Sequence, residues 1–330
     1  MLNPDLNLNS NIFKEDVEKK ATREGYGEGL LELGEENPNV IVLTADLAES
    51  TKVDKFAAKY PNRFIECGVA EQNMVAVASG LGVSGKIPYA SSYATFSPGK
   101  NWETFRTTAV YNFSNVKLAG HHSGLMTGPD GATHQATEDI AITRCLPTLK
   151  VFSPTDFLEA KRITKKVSEF YGPVYIRLTR EKTPMILTEN TPQANLGSNQ
   201  TFWVSDNPKA TIFSTGYMVY YALLAAAKLK DDGINIYVVN VSSIKPTDTK
   251  DIIEKAQETG AVVSVEDHQV NGGLGSMLSE VLAKERPTPI EMIGMQDTFG
   301  ESGNITELLI KYKMDTDSIV SAVKKVISRK

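Results

Sequence analysis

The chain has 330 residues, of which 41% are hydrophobic and 23% charged, and its net charge is −5. That length supports two domains with full cores, and an acidic balance lacks the basic footprint of a nucleic-acid or membrane-surface protein. Cys67 and Cys145 are its two cysteines, so no disulfide framework exists and a reducing cytoplasm is expected; no apolar run reaches a membrane span, and the polar lead-in from Met1 to Asp16 has no hydrophobic signal core.

Residues 1–20 are polar without a clear period and are expected to form an N-terminal arm. From Ala21 onward strand and helix patterns alternate. Val40-Ile41-Val42-Leu43 is a β-branched run that closes at Thr44-Ala45-Asp46. The small and apolar spacing over 71–81 predicts a helix. Ile87 to Tyr93 reads as a strand, 101–112 as a helix, and Val116-Lys117-Leu118-Ala119 and Val174-Tyr175-Ile176-Arg177-Leu178 as further strands. Such alternation predicts a parallel sheet with helices on both faces.

The stretch 183–209 is rich in Pro, Asn, Thr, Gln and Ser, and a linker is expected over 186–208. It separates a first domain, 21–185, from a second, 209–330. In the second, strands are expected at Ala210-Thr211-Ile212-Phe213, at 236–241 and at 261–265, with helices over 217–230, 248–258 and 274–284. The fold class is therefore α/β with two doubly wound domains.

Two runs carry chemistry. Gly68-Val69-Ala70-Glu71-Gln72-Asn73-Met74 puts a carboxyl at the start of a helix; taken alone, Glu71 is a first-turn glutamate favoured by the helix dipole. Gly128-Pro129-Asp130-Gly131-Ala132-Thr133-His134-Gln135 puts an acid and an imidazole in a glycine-rich loop. His121 and His122 lie just upstream, and no helix-borne His-x-x-x-His or Cys/His spacing makes this cluster a zinc site. Tyr93 and Phe96 are flat rings suited to stacking, although aromatic residues are ordinarily core. Arg23, Ser50 and Arg180 offer guanidinium and hydroxyl donors of the kind that hold a phosphate, whereas a lone arginine is ordinarily a surface ion pair. In Val265-Glu266-Asp267-His268-Gln269-Val270-Asn271-Gly272-Gly273-Leu274-Gly275-Ser276 the glycines permit a tight strand-to-helix turn. His268 within it reads as structural or interfacial.

These runs resemble those of the transketolase family of thiamine diphosphate enzymes, and the resemblance extends from Ala21 to the C-terminus. The Val265–Ser276 stretch is shared with the β subunits of 2-oxo-acid dehydrogenases. The family's Gly-Asp-Gly and its following Asn, which hold magnesium and the diphosphate, are absent. The resemblance thus implies a pyrimidine-binding domain and a transketolase C-terminal domain without the diphosphate-binding domain, as in the C-terminal subunit of a split transketolase.

It also implies residue roles. Glu71 would bond N1′ of the thiamine diphosphate aminopyrimidine as a catalytic acid, which calls for a carboxyl kept protonated by an apolar site. Tyr93 and Phe96 would stack on the pyrimidine, with Gly99 where a further aromatic is common, and Asp46 would lie near the cofactor ring. Asp130 and His134 would bind donor-sugar hydroxyls, His134 at the carbonyl end. His121 and His122 compete for a histidine that reaches the phosphate or the acceptor sugar, and Arg23, Ser50 and Arg180 would hold the phosphate.

The implied reaction moves a two-carbon ketol unit from a ketose phosphate, such as xylulose 5-phosphate, to an aldose phosphate, as in the pentose phosphate pathway. The implied assembly is an α2β2 heterotetramer: a homodimer of this chain with N-terminal subunits that supply the magnesium and diphosphate site. Three rivals share features. A 2-oxo-acid dehydrogenase β subunit has the same two domains, but a pyruvate site needs no sugar-hydroxyl reader such as Asp-Gly-Ala-Thr-His-Gln. A 1-deoxyxylulose-5-phosphate synthase-like half shares that loop. A non-catalytic scaffold subunit would have no use for Glu71, Asp130 and His134 together.

Overall fold

Short runs of Val, Ile, Leu and aromatic residues make strands that are buried on both faces, as parallel sheets covered by helices require. The computed structural model describes residues 1–330. In chain order the first half contains β1 (Lys19–Lys20), α1 (Thr22–Glu36), β2 (Val40–Thr44), α2 (Asp54–Lys59), β3 (Phe64–Glu66), α3 (Glu71–Val83) and β4 (Ile87–Tyr93). It continues with α4 (Trp102–Thr104), prolonged by wide helical turns over Phe105–Val110, then β5 (Lys117–His121), α5 (Asp139–Arg144), β6 (Lys150–Phe152), α6 (Phe157–Lys166), β7 (Val174–Arg177) and β8 (Thr183–Pro184). The second half contains β9 (Gln200–Trp203), β10 (Ala210–Ser214), α7 (Met218–Asp231), β11 (Ile236–Asn240), β12 (Ser243–Lys245), α8 (Thr249–Thr259), β13 (Val262–Gln269), α9 (Leu274–Glu285), β14 (Ile290–Met295), α10 (Ile305–Lys311) and α11 (Thr316–Ile327).

Two main sheets result, and they share chain. The seven-stranded sheet runs β12-β6-β7-β5-β4-β2-β3, parallel except for β12, which crosses over from the second half to pair antiparallel with β6. The five-stranded sheet runs β14-β13-β10-β11-β9, parallel except for β9. One buried apolar cluster draws Leu43, Met74, Phe105 and Leu118 from the first half and Phe213, Val239, Leu274 and Leu278 from the second. The halves therefore meet through a hydrophobic core and not across a loose hinge. No helix is long and apolar enough to cross a membrane.

Two segments differ from the sequence reading. The expected linker over 186–208 holds β9, which pairs with β11 and buries Phe202 and Trp203 in the second domain. Four residues in a polar stretch carry too little period to be seen; their strand is made by the neighbour they pair with. The arm, expected over 1–20, is folded onto the second domain. Asn3 N–H donates to Phe202 O (2.8 Å), Val204 N–H to Met1 O (2.9 Å), and Ile12 is fully buried.

Ligand sites in parallel α/β sheets form beyond the carboxyl ends of the strands. At that edge of the first sheet, β2 leads to Asp46, β3 to Glu71, β4 ends on Tyr93, β5 leads to His122, and β7 leads to Arg180. The matching edge of the second sheet is closed by the first domain: Gly216 N–H donates to Ser153 O (3.2 Å), Ser153 N–H to Ser242 O (2.8 Å), and Leu125 N–H to the Asp267 carboxylate (2.9 Å). The open edge therefore belongs to the first sheet.

Candidate active site

Local hydrogen bonding brings two distant arginines together. Ala21 N–H donates to Glu24 Oε2 (2.9 Å) and so fixes the first turn of α1, where Arg23 sits. Thr179 N–H donates to Thr22 Oγ1 (2.7 Å), tying that turn to the strand end that carries Arg180. Arg23 Nη1 then donates to Ser50 O (2.9 Å) and contacts His122 Nε2 (3.0 Å). Ser50 thus contributes its carbonyl to this array. Because a guanidinium can only donate, Nε2 of His122 is the acceptor and its proton sits on Nδ1.

That Nδ1 lies 4.0 Å from Asp130 Oδ2, too far for a hydrogen bond, and has no other partner. Asp130 Oδ2 is also 3.7 Å from Arg180 Nε, while Arg180 Nη1 donates to Glu181 (2.6 Å). Burial and then the Arg180 charge pull the Arg23 guanidinium below its ordinary range. Two guanidiniums and an unpaired imidazole N–H thus lie beside two carboxylates, Asp130 and Glu181, so the array presents donors and acceptors together.

An aromatic wall adjoins this array. The Tyr93 ring stacks on the His122 imidazole (3.9 Å between centroids, 20° between planes) and on Phe96 (5.7 Å, 21°). His134 meets Phe96 edge-on at 5.5 Å and Tyr93 at 6.1 Å, and its Nδ1 is 2.9 Å from Thr133 Oγ1.

His121 does not join them. Adjacent residues at a strand end face opposite ways, and its ring is fully buried against the edge of Tyr26 (5.0 Å), with neither nitrogen hydrogen-bonded. Of the two histidines that the sequence leaves in competition, His122 faces the cleft.

Burial, reinforced by Arg23 and Arg180, pushes His122 down to about 3; burial, with His122 and Arg23, holds His121 well below its usual value. Both imidazoles are expected to stay neutral between about pH 8 and pH 5. Ring-nitrogen NMR across that range checks this, and a titration of either near its ordinary value would contradict it. The sign for stability follows. The unfolded chain takes up these protons near pH ~6.5, whereas folded His122 resists until about 3. Their contribution to stability is therefore complete above pH ~6.5 and is lost as the pH falls below it.

Glu71 opens α3 with only 2% exposure. The expected apolar surround is not what it has. Its Oε2 accepts from Lys100 Nζ (2.8 Å), and Lys100 is itself 46% exposed. The wide turn over Thr95–Lys100 brings that ammonium back toward α3, and Asn101 Nδ2 donates to Glu71 O (3.0 Å) and contacts Ser97 Oγ (2.9 Å), which fixes the turn. Asp46 is exposed with φ 59°, a conformation that Asp tolerates better than most residues. Its N–H and that of Gly68 both donate to Glu66 Oε1 (2.8 and 2.9 Å), so Glu66 braces the turn that delivers Glu71.

The structure thus joins Arg23, Ser50, His122, Asp130 and Arg180 to Tyr93, Phe96 and His134, and sets Glu71 and Asp46 along the same edge. Sequence reasoning missed Lys100, Asn101 and Glu66. Each acts through space on a partner 20 or more residues away, and no local motif marks such pairs. No group of three or more His, Cys, Asp or Glu side chains is placed to hold a metal ion.

Fold and site together define a two-domain α/β protein whose open strand edge carries arginines, histidines and an aromatic wall. Comparison with known proteins gives the family. The profile for the transketolase pyrimidine binding domain matches residues 18–185, and that for the transketolase C-terminal domain matches residues 201–319. The chain belongs to the transketolase family of thiamine-dependent transferases.

It is 42% identical to a Methanocaldococcus jannaschii protein assigned as a transketolase C-terminal section, over 92% of this chain and 95% of that one. It is 36% identical to a 6-deoxy-6-sulfo-D-fructose transketolase subunit of Clostridium sp. (strain MSTE9), over 96% and 98% of the two chains. Among solved structures, a split gene transketolase described as an inactive beta4 tetramer superposes with a TM-score of 0.86 at 44% identity, covering 93% of this chain and 98% of that one.

Proposed function

We propose that this chain, joined to a separate N-terminal subunit, transfers a two-carbon ketol unit from a ketose phosphate to an aldose phosphate. The carrying observation is the array at the strand edge: Arg23 at 3.0 Å from His122, His122 at 4.0 Å from Asp130, and Asp130 at 3.7 Å from Arg180. It offers a polyhydroxylated anion cationic donors for its charge and an acid and imidazoles for its hydroxyls. In this reading Arg23 and Arg180, near Ser50, hold the terminal phosphate. His122 and Asp130 bind sugar hydroxyls. His134, whose Nδ1 is engaged by Thr133, has Nε2 left to exchange a proton at the carbonyl end of the donor.

A buried carboxyl at the start of α3 and the stacked Tyr93–Phe96 pair fit an aminopyrimidine, with Asp46 on the same edge. Thiamine diphosphate, when bound, supplies the carbanion-stabilising centre that the protein side chains lack. Glu71 would hold a proton at N1′, which requires Lys100 to yield the carboxyl it now occupies. The diphosphate and Mg2+ fall to the partner subunit, since the Gly-Asp-Gly signature is absent from this chain. We assign the assembly as α2β2, built on a dimer of this chain, in a reducing cytoplasm.

The test is ketol transfer from xylulose 5-phosphate to ribose 5-phosphate, with thiamine diphosphate and Mg2+. It is run on this chain alone and after co-expression with a subunit that carries the missing signature. Activity in the pair alone supports the reading; silence in a stable pair, with turnover of pyruvate, moves the chain to the 2-oxo-acid branch. A guanidinium can also donate to the oxygens of a sulfonate, a singly charged anion, and the Clostridium relative is named for a sulfosugar. 6-Deoxy-6-sulfofructose is therefore assayed as a parallel donor.

Substituting Arg180→Met is expected to raise the KM of an anionic donor by about 10–100-fold, the worth of one or two charge-assisted hydrogen bonds. The kcat should change little. Comparison with an uncharged donor checks the role: if both KM values rise alike, Arg180 is not reading the anion.

A further inference from the structure

The loop that bears Asp130 and His134 closes on itself. Gly131 N–H donates to Gly128 O (3.2 Å), and His134 and Gln135 N–H both donate to Gly131 O (3.0 and 3.1 Å). Such bonds fix the loop's shape but not its placement over the sheet. Within the first domain Thr95 Oγ1 donates to Thr133 O (3.2 Å) and Gly124 N–H to Ala136 O (2.8 Å), and a further hold comes from behind. The Gln135 side chain is 4% exposed, and its Nε2 donates to Gly128 O (3.3 Å) at the base of the loop and to Glu301 O (2.9 Å) in the second domain. The segment 297–304, between β14 and α10, is itself held. Asp297 N–H donates to Gln269 Oε1 (3.1 Å), Gln269 Nε2 to Thr298 O (2.8 Å), and Tyr312 OH to Phe299 O (3.2 Å). Contact is close on both sides: a Cβ on Gly300 would collide with Gln135 Oε1, and one on Gly131 with Ser302 Oγ.

We propose that Gln135 is a positioning residue through which the second domain sets the donor-reading loop, so that this domain tunes sugar binding without touching the sugar. The inference rests on the ketol-transfer reading. Two carbonyl acceptors orient the amide, and Gln135 Oε1 is left buried with no donor. Leaving an acceptor unsatisfied costs stability. An apolar side chain of similar size would avoid that orphan but lose both donations; Gly128 O keeps the Gly131 N–H and Glu301 is an exposed residue, so the exchange is close to balanced in stability. What glutamine adds is one donor group that spans the loop base and the second domain. Asp130 lies 4.0 Å from His122 and 3.7 Å from Arg180, distances at which a small shift of the loop changes which groups can meet a ligand.

Two variants test this, Gln135→Met, which keeps volume and removes the donors, and Gly300→Ala, which presses the same contact from the second domain. In the assembled enzyme each is expected to raise the donor KM about tenfold, the worth of one buried hydrogen bond. The kcat and the affinity for thiamine diphosphate should stay close to wild type. In the isolated full chain, hydrogen exchange across 128–134 should rise in both variants. A donor KM that stays at the wild-type value in whichever variants fold would overturn the proposal. So would unchanged exchange, or a parallel loss of kcat, cofactor affinity and thermal midpoint, which marks a merely structural residue. If the wild-type pair shows no ketol transfer, the functional reading fails, while the exchange measurement still decides whether Gln135 clamps the loop.

Discussion

Glu71→Gln is expected to lower kcat for ketol transfer by about two to four orders of magnitude, the range that a positioned acid–base group supplies. Glutamine is isosteric, and its amide oxygen can still accept from Lys100, which lies 2.8 Å from the present carboxylate. The side chain is 2% exposed at the start of α3, so a change of size would confound the result and a change of charge alone does not. Donor KM and thermal midpoint are therefore expected to hold while turnover falls. Steady-state kinetics of the assembled pair, with thiamine diphosphate binding followed separately by titration, gives the answer. Wild-type kcat in the variant would remove Glu71 from the chemistry and favour the non-catalytic scaffold reading. A lost binding signal with normal kcat at saturating cofactor would make Glu71 an anchor only.

The parts of this fold that are legible in sequence are those whose burial is symmetric. Val40 to Thr44 and Ile87 to Tyr93 lie within the first sheet, covered on both faces, so each reads as an unbroken run whose observed bounds agree closely with the pattern. The helix predicted over 71–81 runs to Val83. By contrast α1 carries four glycines in 15 residues and no strong apolar stripe. Its helix is held by packing on α6, close enough that a Cβ on Gly25 would collide with Phe157 O. No local signal reports a contact made 132 residues away.

The candidate site divides along the same line. Glu71, Asp130 and His134 stand in recognisable short runs, and the structure sets them along one edge. The partners that orient them arrive through space: Lys100 on Glu71, Thr179 on the turn that carries Arg23, Gln135 on the second domain. His121 and His122 are equivalent as letters, and only the end of β5 distinguishes them, by turning one ring inward and the other to the cleft.

Arg177→Met is expected to cost about 3–5 kcal/mol of stability, the usual effect of leaving one partner of a buried ion pair alone. Arg177 and Asp139 are 4% and 1% exposed, and Arg177 Nε lies 2.9 and 3.1 Å from the two Asp139 oxygens. Burial opposes the guanidinium charge, but Asp139 and Asp267 outweigh it and hold Arg177 above its ordinary range. In the variant the carboxylate keeps only the Tyr175 hydroxyl (2.6 Å) from this set, which cannot neutralise it. Two carbonyls lose a donor as well, Asp267 O (2.6 Å) at the end of the second sheet and Ala136 O (3.3 Å) beside Gln135. The damage thus reaches both domains and the donor loop. Denaturant unfolding of the isolated chain, comparing midpoint and slope, measures it. Replacing both partners, Arg177→Met with Asp139→Leu, should recover most of the loss, because no unpaired charge then remains buried. If the double variant is no more stable than the single one, the loss comes from the carbonyl contacts, chiefly Asp267 O since Ala136 O keeps the Gly124 N–H (2.8 Å), and not from the stranded carboxylate. A loss below about 1 kcal/mol, the worth of a surface pair, would mean that Arg177 does not staple the domains.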